Sequence, residues 1–168
     1  MKIYRVTGDS PRWQRIAYDY VRTDSFCFGQ KIPMVAEFEQ DGPEETFEGI
    51  LVTEDERPVC GLKISYPRRD VARIERVCTI REKQKSGYGR IMISEAEKWI
   101  AEKGYDHILI VSQDRAQGFY EKCGYVLNEA LTPLDVWPED RELPAKPPKH
   151  ESGFVPDFKV VMVEKYLK

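Results

Sequence analysis

A β-branched run from Val71 to Ile80 is followed by the turn Gln84-Lys85-Ser86-Gly87-Tyr88-Gly89-Arg90 and then at once by an amphipathic segment. In that segment Ile93, Ala96 and Ile100 recur at helical spacing, joined by Met92 and Trp99, and Glu95, Glu97, Lys98 and Glu102 form the polar side. Gly104 stands where a left-handed C-terminal residue belongs. A strand that turns through glycines into a helix constrains the fold strongly. The first amides of a helix have no intrahelical partner, and glycine lets a ligand approach the backbone closely. With the positive end of the helix dipole, they form a seat for phosphate oxygens. Lys83, Lys85 and Arg90 add positive charge, so the turn reads as a pyrophosphate cradle.

The rest of the chain narrows the class. Its 168 residues fit one domain, 1–168. Twenty-six basic against 29 acidic side chains leave a net charge of -3, which argues against nucleic acid held by bulk positive charge. The longest aliphatic runs, Ile108 to Val111 and Val160 to Val163, are too short to cross a bilayer, and the first residues lack the apolar core of a signal peptide. Cys27, Cys60, Cys78 and Cys123 make no C-x-x-C pair and have no nearby histidine, so no metal site is expected. They read as reduced thiols of a cytoplasmic protein.

Met1 to Val6 is the first expected strand. Ser10-Pro11 reads as an N-cap and first helical residue. Trp13, Ile16, Ala17, Tyr20 and Val21 then mark the apolar face of a helix reaching about Asp24. The segment from Phe26 to Thr46 is expected to be irregular. Phe47 to Thr53 and Pro58 to Tyr66 form a hairpin. His107 to Val111 reads as a buried strand, Arg115 to Lys122 as a short helix, and Tyr125 to Leu127 and Phe158 to Tyr166 as the last strands. Between these two lies a long loop, Asn128 to Asp157, holding six of the 11 prolines. Leu131, Leu134, Val136, Trp137 and Phe154 give it apolar surface with which to pack.

Downstream of the cradle, Arg115-Ala116-Gln117-Gly118-Phe119-Tyr120-Glu121-Lys122-Cys123-Gly124-Tyr125 follows the next strand. Together the two segments resemble the GCN5-related N-acetyltransferase (GNAT) superfamily. Gln84, Gly87 and Gly89 match its Gln/Arg-x-x-Gly-x-Gly/Ala acetyl-coenzyme A motif. Ala116, Phe119, Tyr120, Glu121, Lys122, Gly124 and Tyr125 match its second segment. The likeness covers roughly residues 47 to 127. Upstream, Val21-Arg22, Phe26, Gln30 and Glu37-Phe38 are similar to a segment of some bacterial members.

The resemblance implies an α/β (α+β) fold. Its mixed, mostly antiparallel sheet of about six or seven strands would be splayed between the fourth and fifth and flanked by helices. Acetyl-coenzyme A would lie in the opening as acetyl donor, its pyrophosphate on Gln84, Lys85, Ser86, Gly87, Tyr88, Gly89 and Arg90. Its pantetheine would run along Val77, Cys78 and Thr79. Gln113 stands where many members place a cofactor-binding Asn. The expected reaction is direct acetyl transfer, in a ternary complex, to a primary amine of a small molecule or peptide. The alternative is a catalytically idle acyl-coenzyme A sensor or interaction module. The sequence leaves the oligomeric state open, a homodimer included.

By the resemblance, Tyr120 is the general acid for the leaving thiolate, and the amide near Val77 or Cys78 is the oxyanion donor. An ammonium acceptor, with a pKa of about 10.4, must also lose a proton. Glu75 alternates with Val77 and Thr79 and would share their face in a regular strand, which makes it the candidate base. A bulge would reverse that parity, and Arg73 and Arg76 offer it ion pairs instead. Glu37 and Glu39 are alternatives. Cys78 is expected to fill space, and His107 receives no role.

Overall fold

The computed structural model describes residues 1–168. In chain order the elements are β1 (Lys2–Thr7), α1 (Arg12–Arg22), a π-helical stretch (Thr23–Gly29), α2 (Met34–Phe38), β2 (Glu48–Glu54), β3 (Arg57–Arg68) and β4 (Val71–Thr79). Then follow α3 (Tyr88–Glu102), β5 (His107–Gln113), α4 (Gln117–Lys122), β6 (Val126–Leu127) and β7 (Val160–Tyr166). The seven strands form one sheet in the order β1-β2-β3-β4-β5-β7-β6, antiparallel except for the parallel pair β4–β5. The hairpin of β2 and β3 closes through Asp55 and Glu56, both at positive φ, a two-residue turn that matches the strand twist.

Helix α3 lays Met92, Ile93, Ala96, Trp99 and Ile100 on one sheet face, against Ile50, Leu62, Ile74, Ile108 and Val163. Gly104, at φ 88°, ends it as expected. On the opposite face Tyr18, Val21, Phe26 and Ala36 pack on Leu51, Cys78 and Ile80. Beside them Val136, from the proline-rich loop, packs on Val71, Leu109 and Met162.

Three expectations are corrected in the N-terminal third. Ser10 does not cap α1, which starts at Arg12 after Pro11; its hydroxyl instead accepts the Thr7 amide at 2.9 Å and closes the turn after β1. The buried face of α1 is Gln14, Tyr18, Val21 and Arg22, leaving Trp13, Ile16 and Tyr20 about half exposed. Arg22 can enter the core because Glu37 and Asp41 satisfy its guanidinium. The segment after Arg22 is not irregular throughout, since it continues as π-helix and then forms α2.

Candidate active site

Only Ala72↔Ile108 and Arg73↔Leu109 register between β4 and β5, and beyond them the two strands part. The sheet therefore opens into a V between Ile74–Thr79 and the later half of β5. At the mouth of the V stands the cradle. Gly87 sits at φ 90° and Lys85 at φ 62°, so the turn folds back through two left-handed residues before α3 begins. A Cβ at Gly87 would meet nothing within 4 Å, whereas one at Gly89 would stand 2.9 Å from the Phe119 ring. The two glycines thus serve different ends: Gly87 leaves the turn open, and Gly89 lets α4 close against α3.

The side chains around the turn are tied back to the protein. Gln84 Nε2 donates to the Thr79 carbonyl at 3.2 Å, and Ser86 Oγ to the Gln84 carbonyl at 3.5 Å. Arg90 reaches the Lys122 carbonyl at 3.2 Å. Tyr88 donates its hydroxyl to Glu54, which also receives Lys83 at 3.4 Å. That bond raises the Tyr88 pKa to about 12. Glu54 carried no sequence signal for this role, because its link to the turn exists only once the β2–β3 hairpin is folded. Lys85 makes no ion pair in the structure.

Tyr120, in α4, is buried against Phe119 and Tyr125 within the α3-side core. Burial raises its pKa, with the Cys78 and Cys123 thiols adding to the effect, so the phenol keeps its proton. Cys78 is likewise held as a thiol by burial, its Sγ 3.6 Å from the Gly61 carbonyl. Gln113 Nε2 bonds Gln30 at 2.8 Å, and its Oε1 accepts Arg115 at 2.7 Å, which links the end of β5 to the π-helical stretch.

The face assigned to Glu75 is corrected. Lys63 pairs with Glu75 and Gly61 with Cys78, so Arg76 and Val77 together oppose Leu62. This is a β-bulge, with Arg76 at φ 54°. It puts Val77 against the α3-side core and Cys78 in the α1-side core. Glu75 consequently lies on the α1 side, with Lys63 at 3.2 Å and Arg73 at 3.0 Å, and does not share a face with Val77 and Thr79. Burial alone would raise its pKa, but the charges of Arg73, Lys63 and Arg76 outweigh this and lower it to about 2.

Around the bulge lies a charge cluster that spacing alone did not reveal. Arg22 is fully buried. Its Nε donates to Glu37 at 3.1 Å, its Nη2 to the Glu37 carbonyl at 3.0 Å and its Nη1 to Asp41 at 2.8 Å. Arg76 faces the same Glu37 carboxylate at 3.6 Å. Burial raises the Glu37 pKa despite both cations. The upstream likeness at Arg22 and Glu37 was the one signal for this cluster. Glu39 turns the other way, to His150 in the proline-rich loop, and is unconnected to the bulge. His107 pairs with Glu164 at 2.8 Å and stacks on Tyr166, in the paired half of β5 away from the opening.

No helix is long and apolar enough to cross a membrane, and no group of three or more His, Cys, Asp or Glu side chains is arranged to hold a metal ion.

Set beside known proteins, residues 13–125 match the acetyltransferase (GNAT) family. The chain is 30% identical to the uncharacterized protein YyaT of Bacillus subtilis over 129 residues, 76% of this chain and 84% of the relative. It is 34% identical to the uncharacterized N-acetyltransferase YjcF of the same organism over 111 residues, 66% and 77% of the two chains. A provisionally assigned N-acetyltransferase structure from Lactobacillus plantarum superposes with a TM-score of 0.73 at 26% identity, covering 99% of this chain and 98% of the other.

Proposed function

The chain belongs to the acetyltransferase (GNAT) family, and from that premise we propose that it transfers an acetyl group from acetyl-coenzyme A to a primary amine of a small molecule or peptide. The observation that carries this reading is the V between β4 and β5, with the cradle at its mouth and Tyr120 beside it. A pyrophosphate would rest on the turn from Gln84 to Arg90. Pantetheine would follow Val77, Cys78 and Thr79, whose strand edge has no β5 partner. Gln113, already bound to Gln30 and Arg115, would fix the wall of the opening rather than reach far into it.

In direct transfer the amine nitrogen attacks the thioester carbonyl, the carbon–sulfur bond breaks, and the sulfur leaves as thiolate. Tyr120, kept protonated by burial, would give that thiolate its proton and regain one from the attacking nitrogen, which loses a proton as it becomes the amide. The amide at the bulge would receive the developing oxyanion. Glu75, with a pKa of about 2 and two cations in contact, has little driving force to take a proton from an ammonium. We assign it to holding Lys63 and Arg73 on the acceptor side, with the ammonium proton leaving to water. The loop 128–157 would wall the acceptor half, since Val136 packs on the sheet there and Phe154 on the α1-side core.

One observation favours a second reading, an idle acyl-coenzyme A-binding module. The carboxylates nearest the bulge, Glu37 and Glu75, are both ion-paired, which leaves no free base beside Arg76. Coenzyme A release, followed with a thiol reagent against polyamines, aminoglycosides, amino acids and short peptides, separates the two. Turnover with any amine supports the transferase. Binding of acetyl-coenzyme A without turnover across the panel supports the module.

A further inference from the structure

The backbone of Arg76 is held in a conformation its own chemistry disfavours. A non-glycine residue at φ 54° within a strand is strained and persists only where the surroundings impose it. Two contacts do so here, from two different elements. From α1, the Tyr18 hydroxyl donates to the Arg76 carbonyl at 3.3 Å. From α2, the Glu37 carboxylate faces the Arg76 guanidinium at 3.6 Å. Neither partner is free to drift. Tyr18 is 1% exposed, its ring seated on Gly61, where a Cβ would come within 2.4 Å of it. Glu37 is fixed through both its side chain and its carbonyl by Arg22.

What the two contacts hold is the open wall of the cleft. Arg76 and Val77 have no register partner of their own on β3, and both lie beyond the last β5 pair. Their peptide groups are therefore aimed by the bulge rather than by a ladder. We propose that Tyr18 and Glu37 are positioning residues for acetyl transfer: by gripping the carbonyl and side chain of Arg76 they fix the bulge, and with it the amide that meets the thioester oxygen. The proposal rests on the transferase reading above. An oxyanion donor contributes through its placement before the reaction, so a loosened bulge lowers kcat by more than it weakens ground-state binding of pantetheine along Val77 to Thr79.

The test is steady-state kinetics on Tyr18→Phe, which keeps the ring on Gly61 and removes only the hydroxyl. The expected result is a kcat about fivefold lower, the worth of one hydrogen bond. KM for both substrates and the calorimetric Kd for coenzyme A should stay within about twofold. Arg76→Gly, which accepts a positive φ, should keep more kcat than Arg76→Val, whose branched Cβ opposes it. Wild-type kcat in Tyr18→Phe, a loss matched by weaker coenzyme A binding, or equal kcat in the two Arg76 variants would each overturn the proposal. A wild-type protein that releases no thiol with any amine would instead bring down the transferase reading, and this proposal with it.

Discussion

Glu39 and His150 lie 111 residues apart in the chain and meet with carboxylate oxygen and ring nitrogen 2.6 Å apart. The second Glu39 oxygen accepts the Ser152 amide at 3.0 Å, so one carboxylate binds the proline-rich loop twice. These bonds hold the Glu39 pKa below the usual carboxylate range, against the opposing effect of burial. At its other end the loop is held by Val136 in the sheet and by the Glu139 amide on the Pro67 carbonyl at 2.9 Å. The long insertion is therefore a strap fastened at both ends.

Unfastening one end should be visible in the acceptor kinetics. Glu39→Gln or His150→Ala is expected to raise the acceptor KM several-fold while coenzyme A affinity stays within about twofold. Cleavage between Asp140 and Ser152 in limited proteolysis should become faster. An acceptor KM and a digestion pattern like those of the wild type would mean that the strap has no part in acceptor binding.

Gly87→Glu should lower acetyl-coenzyme A affinity at least tenfold, about 1.4 kcal/mol, by calorimetry. The side chain has open space, so the fold survives, although φ 90° makes any side chain there strained. The effect comes from a carboxylate placed where phosphate should bind. Gly89→Ala serves as contrast, because its Cβ would push Phe119 and cost thermal stability first. Unchanged affinity in folded Gly87→Glu would remove the cradle from the proposal.

Tyr120→Phe keeps the contacts with Phe119 and Tyr125 and deletes one hydroxyl. If that hydroxyl protonates the leaving thiolate, kcat should fall about 10²- to 10⁴-fold, with coenzyme A binding nearly unchanged. A wild-type kcat with the true acceptor would move the proton donor elsewhere.

The Glu75 ion pairs set a pH window. A carboxylate whose folded pKa drops from 4.5 to about 2 stabilises the fold fully above pH 4.5 and loses that contribution as pH falls towards 2. The shift corresponds to roughly 3 kcal/mol at most, given that the side chain is 18% exposed. Urea titrations between pH 6 and about 2 should show a steeper acid loss for wild type than for Glu75→Gln. In the same variant the pH profile of kcat should be unchanged. A profile that shifts would restore Glu75 as the base.

Much of this was legible because it is local. The α3 face, Gly104, the β2–β3 turn and the glycines of the cradle each follow from residues within a few positions of one another. The opening between β4 and β5 came from resemblance, since no residue in either strand encodes a divergence. Tyr18 carries no such local signal and Arg22 only the upstream likeness, because their partners Arg76 and Glu37 arrive from distant elements. The bulge was equally silent: a left-handed Arg76 has no glycine or asparagine to announce it. It is the bulge that moved Glu75 to the other face.

The seat of Tyr18 on Gly61 also has a bearing on how such a sequence can drift. Any residue but glycine at position 61 would evict the ring, and any smaller residue at position 18 would leave a hollow above β3. A ring at position 18 thus depends on glycine at position 61, across α1 and β3. A lineage that gains a side chain at position 61 must change position 18, and in doing so it releases the Arg76 carbonyl. In a relative with a side chain at the Gly61 position, the tyrosine should be absent as well, and some other donor should be found at the bulge.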